Sequence, residues 1–146
     1  MIGYIAKRLL NPIKRTTFIN SILMFRIMLL AGVGGFIGTC CRYLTNRLYL
    51  TYFQSTLPLA TFTVNILGCF ILGLILGLLN RAGIVSQEVN AFLIVGFCGG
   101  YTTFSTFSYE TLNLGMNGEL LTSLLYVGAS IIIGLIAVWL GIVVAR

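Results

Sequence analysis

The sequence predicts an all-α membrane protein of four transmembrane helices, and its composition and charge pattern are the two reasons. Of the 146 residues, 58% are hydrophobic and only 8% are charged, whereas soluble domains are about 25% charged. The windows 48–80, 89–109 and 120–145 contain no charged residue, and a spanning helix needs ~20 apolar residues. A fourth window, 27–41, extends to Asn46 if Arg42 lies at an interface and snorkels.

Short loops join the spans and leave no room for a soluble domain. We place the spans, in order, at about 27–48, 59–79, 89–110 and 120–143. The loops between them are Tyr49–Pro58, Asn80–Glu88 and Thr111–Glu119. They carry turn-forming residues such as Gly83 and the Asn117-Gly118 pair. Residues 26–146 are therefore predicted to form one membrane domain, and because four helices enclose little volume, a site within it would need a second copy.

Residues 1–25 form a basic N-terminal extension for which the sequence leaves two interpretations open. Pro12 is expected to interrupt any helix there, and no small-residue cleavage signature is clear. The extension either lies in the membrane interface as a broken amphipathic segment or is not part of the native product. In the second case Met24 would be the start, since MFRIMLLAGVGG is an ordinary beginning for a first span.

The basic residues bias the orientation of the bundle in the membrane. With four spans, the termini and the 80–88 loop share one side, which carries seven basic residues, while Arg42 and Arg47 lie on the other. The positive-inside rule then places both termini in the cytoplasm, where the basic extension meets anionic headgroups rather than nucleic acid. Without residues 1–23 the counts fall to three against two, so such a chain could insert both ways and form antiparallel pairs.

Span one contains the glycine cluster GVGGFIGTCCRY and one cation. It is not a dinucleotide-binding turn, because no strand precedes it and no acid follows about 20 residues later. The spacing of Gly34 and Gly38, like that of Gly73 and Gly77 in span two, predicts close helix packing. Arg42 is either an interfacial anchor or an electrostatic lure for an anion. The four cysteines lack metal-ligand spacing and have no histidine beside them, so we interpret them as small packing residues.

Spans two and three each place polar groups inside the membrane. Asn65 in span two either faces a permeating solute or makes an interhelical hydrogen bond, worth only about 0.6–2 kcal/mol. In span three, the uncharged window is centred on Gly99, within GFCGGYTTFSTFSYE. Two glycines followed by threonines predict a break in the helix there, which exposes backbone carbonyls that can coordinate ions. The alternative is a packing crossing whose hydroxyls bond back to their own helix.

The residues after this break and on span four offer hydrogen-bond donors. Phe104 and Phe107 share one helix face and present positive ring edges, and Tyr126 and Ser130 share a face of span four. The candidate pathway is lined by Asn65, Ser105, Thr106, Tyr126, Ser130 and the two phenylalanine edges.

This predicted lining has no carboxylate, since all three glutamates are placed at span ends. A cation pathway would need acidic rings or convergent carbonyls, and proton-coupled antiport would need an acid within a span. The chemistry therefore favours a small anion. A small multidrug exporter would need a glutamate in span one, where none exists, and an enzyme would need an acid–base pair. A non-transporting anchor protein would leave the hydroxyl cluster unexplained.

Three segments, GGFIGTCCRY, TFTVNILGCF and GFCGGYTTFSTFSYE, together resemble the CrcB/Fluc fluoride channels, in the right order and spacing from about Gly32 to the C-terminus. The resemblance implies a passive fluoride channel of the cell membrane, built as an antiparallel, dual-topology dimer with two pathways. It also implies a structural sodium ion (Na+) on the dimer axis that is not transported. The basic extension departs from the family pattern and biases topology, so the partner is either a second copy or an oppositely oriented homologue.

The same resemblance assigns roles to individual positions. Gly99 and Thr102 match the positions whose backbone carbonyls hold sodium, and Arg42 matches the vestibule arginine. The remaining matches belong to the fluoride pathway: Asn65 as the pore asparagine, Phe104 and Phe107 as the ring pair, Ser105 and Thr106 between them, and Tyr126 and Ser130 as hydroxyls of the fourth helix.

Overall fold

The computed structural model of the chain is all-helical in the residues it describes, 2–53, 57–84 and 86–146, with side chains described from residue 20 onward. The elements are α1 (Ile2–Tyr52), α2 (Leu59–Arg81), α3 (Gln87–Val89), a π-helical segment (Asn90–Cys98), α4 (Gly99–Tyr101), α5 (Phe104–Met116) and α6 (Leu120–Ala145). Four stretches are long and apolar enough to span a membrane: Asn20–Tyr52, Leu59–Arg81, Gln87–Met116 and Leu120–Ala145. The predicted fold class, four spans with a break in the third, is confirmed.

Helix α1 begins well before the first predicted span. It runs from Ile2 through Pro12 without interruption, so the expectation that Pro12 interrupts the helix is wrong. A proline inside a helix removes one backbone hydrogen bond, at a cost of about 3 kcal/mol, and the helix continues on both sides of it.

Two pairs of elements approach each other closely at glycines. α1 packs against the π-helical segment, where a Cβ added to Gly34 or Gly38 would overlap the carbonyl oxygens of Phe92 and Phe97. α2 packs along α6. The equivalent contacts there are Gly73 against the Val138 carbonyl and Gly77 against Ala145. Close packing at all four predicted glycines is therefore confirmed.

Glycines in the left-handed conformation end two of the helices. Gly83 (φ 65°) follows α2 and Gly118 (φ 83°) follows α5. The next residue in each case donates its N–H back into the helix, Ile84 to Leu79 O at 3.0 Å and Glu119 to Leu114 O at 2.9 Å. This is the Schellman arrangement, which only glycine adopts without a Cβ penalty. The predicted turns at these glycines are confirmed.

Span three is longer than predicted. The sequence places its end at 110 and assigns Thr111–Glu119 to a loop, but α5 continues to Met116, so that boundary is wrong for residues 111–116. Glu110, the charged residue at the predicted end, lies within α5, and its carboxylate accepts hydrogen bonds from two hydroxyl groups.

Candidate functional site

Span three breaks at Thr102 and Thr103. Both have extended backbones, with φ −81° and ψ 162° at Thr102 and φ −146° and ψ 110° at Thr103. Gly99 and Gly100, where the break was expected, remain helical, so the break exists but begins after the glycines. A Cβ on Gly100 would lie 2.5 Å from Gly35 O, so this glycine permits close packing on α1. The β-branched threonines are the residues that favour extended backbone.

Asn65 of α2 hydrogen-bonds to both backbone groups of one residue in the break, Thr103. Its Oδ1 accepts from the Thr103 N–H at 2.9 Å, and its Nδ2 donates to Thr103 O at 3.2 Å. Thr103 would otherwise leave two backbone groups unpaired inside the membrane, which is costly. Asn65 thus makes the interhelical hydrogen bonds that were one of its two predicted roles. One amide hydrogen and one lone pair of Oδ1 remain for another partner.

The threonine hydroxyls at the break are largely used locally. Thr103 Oγ1 caps α5 by accepting from the Thr106 N–H at 3.4 Å, and it donates to Thr106 Oγ1 at 2.9 Å. Thr102 Oγ1 donates back to Cys98 O at 3.0 Å. These bonds order the break and fix the direction in which α5 leaves it. The hydroxyl hydrogen of Thr106 is left to donate, since its oxygen acts as the acceptor.

A polar stripe on α1 contacts the opposite side of the break. Thr39 Oγ1 donates to Gly100 O at 3.4 Å, and Arg42 Nη1 donates to Thr102 O at 3.5 Å. The carbonyl end of a helical segment carries partial negative charge, which a guanidinium complements. Arg42 therefore contacts the break itself, a position that neither of its two predicted roles specified. Its assignment as a vestibule arginine stays a prediction.

A cavity of about 430 Å³ opens beside the break. Six of the predicted site residues line it, namely Asn65, Gly99, Thr102, Phe104, Phe107 and Ser130. Ser130 Oγ is buried, and within the described part of the chain it has no hydrogen-bond partner. Buried hydroxyls are normally hydrogen-bonded. The Ser130 hydroxyl is therefore available to a ligand in the cavity.

The aromatic rings at the cavity form a chain that reaches α6. The Phe104 and Phe107 ring centroids lie 5.9 Å apart, tilted by 40°, and those of Phe107 and Tyr126 lie 5.2 Å apart, tilted by 48°. Phe104 is 80% exposed. The rings are therefore held near each other, but one chain covers only one side of the pair.

Glu110 is a polar residue of this region that the sequence did not identify. Its carboxylate accepts from Thr61 Oγ1 at 2.7 Å and from Tyr126 Oη at 2.9 Å. Glu110 lies within α5 rather than at its end, and the Tyr126 hydroxyl hydrogen is committed to its carboxylate. The signal in the sequence was its spacing of three residues from Phe107, which puts both on one face of α5.

The structure does not bring every predicted pathway residue to the cavity wall. Ser105 and Thr106 are exposed on α5, and neither they nor Arg42 are among the described residues that line the cavity. Tyr126 reaches it only through the Phe107 ring. Their roles in a pathway remain predictions.

Four apolar spans, with a cavity beside the break in the third, define a multi-pass membrane protein. Comparison with known proteins identifies it further. A family profile described as "CrcB-like protein, Camphor Resistance (CrcB)" matches residues 29–142, and the chain belongs to this family. The match begins at residue 29, so the basic N-terminal extension lies outside it.

Curated relatives cover most of the chain. It is 44% identical over 114 residues to the "Fluoride-specific ion channel FluC" of Flavobacterium psychrophilum, which is 78% of this chain and 92% of the relative. The protein of the same name from Chlorobium phaeobacteroides is 43% identical over 118 residues, 81% and 91% of the two chains. That of Azobacteroides pseudotrichonymphae is 41% identical over 123 residues, 84% and 98%. These names describe ion channels, which are not enzymes, as the sequence predicts for this chain.

Proposed function

We propose that this protein is a fluoride-selective ion channel of the cell membrane, through which fluoride leaves the cytoplasm passively. Its relatives carry the name of that activity. The observation that carries the proposal is the cavity at the break, where Asn65, Ser130 and the two phenylalanines meet. Among the described lining residues of this cavity there is no carboxylate, so no full negative charge in the wall repels an anion.

The lining suits a small anion that must give up its water. Moving a bare ion into a low-dielectric interior costs tens of kcal/mol, so protein donors must replace the water closely. Ser130 offers a buried hydroxyl without a partner, and Asn65 retains one amide hydrogen. The positive edges of Phe104 and Phe107 add a weaker electrostatic contribution. The Glu110 carboxylate, which lies beyond Tyr126, already accepts hydrogen bonds from the Thr61 and Tyr126 hydroxyls.

The functional unit in this proposal is an antiparallel dimer embedded in the lipid bilayer. The 80% exposure of Phe104 supports it, because an anion beside that ring would need a second wall to exclude lipid and bulk water. A break near the middle of span three is also where an axis relating two inverted copies would cross. The partner is a second copy of this chain or, given the orientation bias of the basic extension, an oppositely oriented homologue.

The proposal includes a structural sodium ion at the dimer centre, held by the carbonyl oxygens of Gly99 and Thr102. The donor chemistry fits, since unwound carbonyls at the C-terminal end of a half-helix are the ligands that sodium meets in membrane proteins. Arg42 approaches the Thr102 oxygen at 3.5 Å, and a carbonyl oxygen has a second lone pair for a cation. One chain supplies two such oxygens, so a second chain would complete the set.

Reconstitution into sealed liposomes tests the proposed activity. Vesicles loaded with fluoride are diluted into fluoride-free buffer, and efflux is followed with a fluoride electrode. The proposal predicts efflux that depends on the protein, while chloride-loaded vesicles release no chloride. Vesicles with protein that retain their fluoride as well as empty vesicles do would refute it.

A further inference from the structure

The Thr103 N–H has two possible acceptors, and the structure uses the less usual one. In a continuous α-helix this group would donate to the carbonyl four residues earlier, Gly99 O. It donates instead to Asn65 Oδ1 at 2.9 Å. The neighbouring Thr102 N–H donates to Cys98 O at 3.0 Å. The Gly99 oxygen thereby loses the partner that a continuous helix would give it.

We propose that Asn65 is the positioning residue that opens the cation site, because it draws the Thr103 N–H away from the Gly99 carbonyl. This inference rests on the sodium ion in the proposed function. It gives Asn65 a second role besides lining the cavity. The Asn65 side chain then faces the anion pathway directly. It acts on the cation ligands only indirectly, through its bonds to Thr103.

The second bond of Asn65 makes the open form stable. In a continuous helix, Thr103 O would accept from the Phe107 N–H, and at the break Asn65 Nδ2 replaces that donor at 3.2 Å. Both backbone groups of Thr103 are thus paired while its conformation is extended. Without Asn65 both would be unpaired in the membrane, and the simplest repair is a continuous helix in which Gly99 O is bonded again. The Gly99 oxygen would then point along the helix at the Thr103 N–H, and its interaction with sodium would be weakened.

Three substitutions separate this role from that of an anion contact. Asn65→Leu removes both the acceptor and the donor while filling the space. Asn65→Asp loses the donor to Thr103 O but keeps an oxygen for the Thr103 N–H, the bond that leaves the Gly99 carbonyl open, and it puts a negative charge in the anion pathway. Asn80→Ala is the matched control, an exposed asparagine on the same helix away from the break.

The test measures thermal unfolding of the purified full-length protein in detergent, titrated with sodium chloride against N-methylglucamine chloride at constant ionic strength. We expect sodium to stabilise the wild type, Asn65→Asp and Asn80→Ala. For Asn65→Leu we expect the half-saturating sodium concentration to rise about tenfold or more, the size that loss of one ion-bound carbonyl implies. Asn65→Asp should combine a normal sodium response with loss of fluoride efflux.

Two results would overturn the inference. One is a wild-type sodium response in Asn65→Leu, and the other is an Asn65→Asp response as weak as that of the leucine variant. If Asn65→Leu does not fold, Asn65→Ala takes its place. The sodium response of Asn65→Asp is then compared with that of the alanine variant. A wild type that ignores sodium would refute the cation site and this inference together, whereas fluoride efflux, measured separately, would still report on the channel.

Discussion

Replacing Gly38 with alanine tests whether the close approach of α1 positions the break. The added Cβ would overlap the Phe97 carbonyl oxygen and lie 2.9 Å from the Tyr101 nitrogen. Both are backbone atoms, which cannot rotate away, so α1 itself must shift outward. Overpacking of this kind costs about 1–3 kcal/mol. For a chain of this size, each kcal/mol lowers the melting temperature by roughly 2–4 °C.

The shift also acts on the site, because Thr39 and Arg42 lie within about one turn of Gly38 on the same helix. Their bonds to Gly100 O and Thr102 O are already long, at 3.4 and 3.5 Å. Displacement of α1 by a few tenths of an ångström takes both beyond hydrogen-bonding range. We therefore expect Gly38→Ala to reduce fluoride efflux as well as stability.

The control for this experiment is Gly32→Ala on the same helix, where an added Cβ would meet nothing within 4 Å. There the substitution should be neutral or stabilising, by up to about 1 kcal/mol, since alanine is the better helix former. Thermal unfolding in detergent and efflux from liposomes are measured for both variants. If Gly38→Ala melts and conducts like Gly32→Ala, the packing argument is refuted.

Four substitutions at three places address the cavity and its surroundings. Asn65→Asp should abolish fluoride efflux while its elution on size exclusion stays that of the wild type, because a carboxylate enters the proposed anion path; unchanged flux would remove Asn65 from that path. Phe104→Ile and Phe107→Ile should each lower the efflux rate, since bulk is kept but the ring edges are lost, and normal rates in both would discredit the edge contacts. Glu110→Gln should lower the free energy of unfolding by about 1–3 kcal/mol, since one of its two hydroxyl partners loses an acceptor. An unchanged melting temperature in that variant would show that both hydroxyls find other partners.

The sequence predicted the spans and the helix contacts because those depend on local patterns. Uncharged windows report the thickness of the membrane, and they located all four spans. Glycines four residues apart leave a smooth surface on a helix, and the pairs in α1 and α2 do approach their neighbours closely. Gly83 and Gly118 end helices in the left-handed conformation, as turn residues near a predicted boundary indicate.

The position of the break and the place of Glu110 depend on contacts between distant residues, which local patterns do not report. Gly100 looked like a helix breaker, but it is needed where α4 meets Gly35. Glu110 looked like a residue at the membrane edge, but Thr61, 49 positions earlier, and Tyr126, 16 later, satisfy its carboxylate. The sequence identifies Asn65 as a polar residue inside an apolar span, and only the structure shows that Thr103 is its partner.

Selectivity requires that neutral donors and ring edges replace the hydration of fluoride and of no other common ion. Reversal potentials in a planar bilayer measure this selectivity. With a tenfold fluoride gradient and equal chloride on both sides, we expect the current to reverse at the fluoride equilibrium potential, about 59 mV in magnitude. Reversal near zero, or at the equilibrium potential of the accompanying cation, would contradict it.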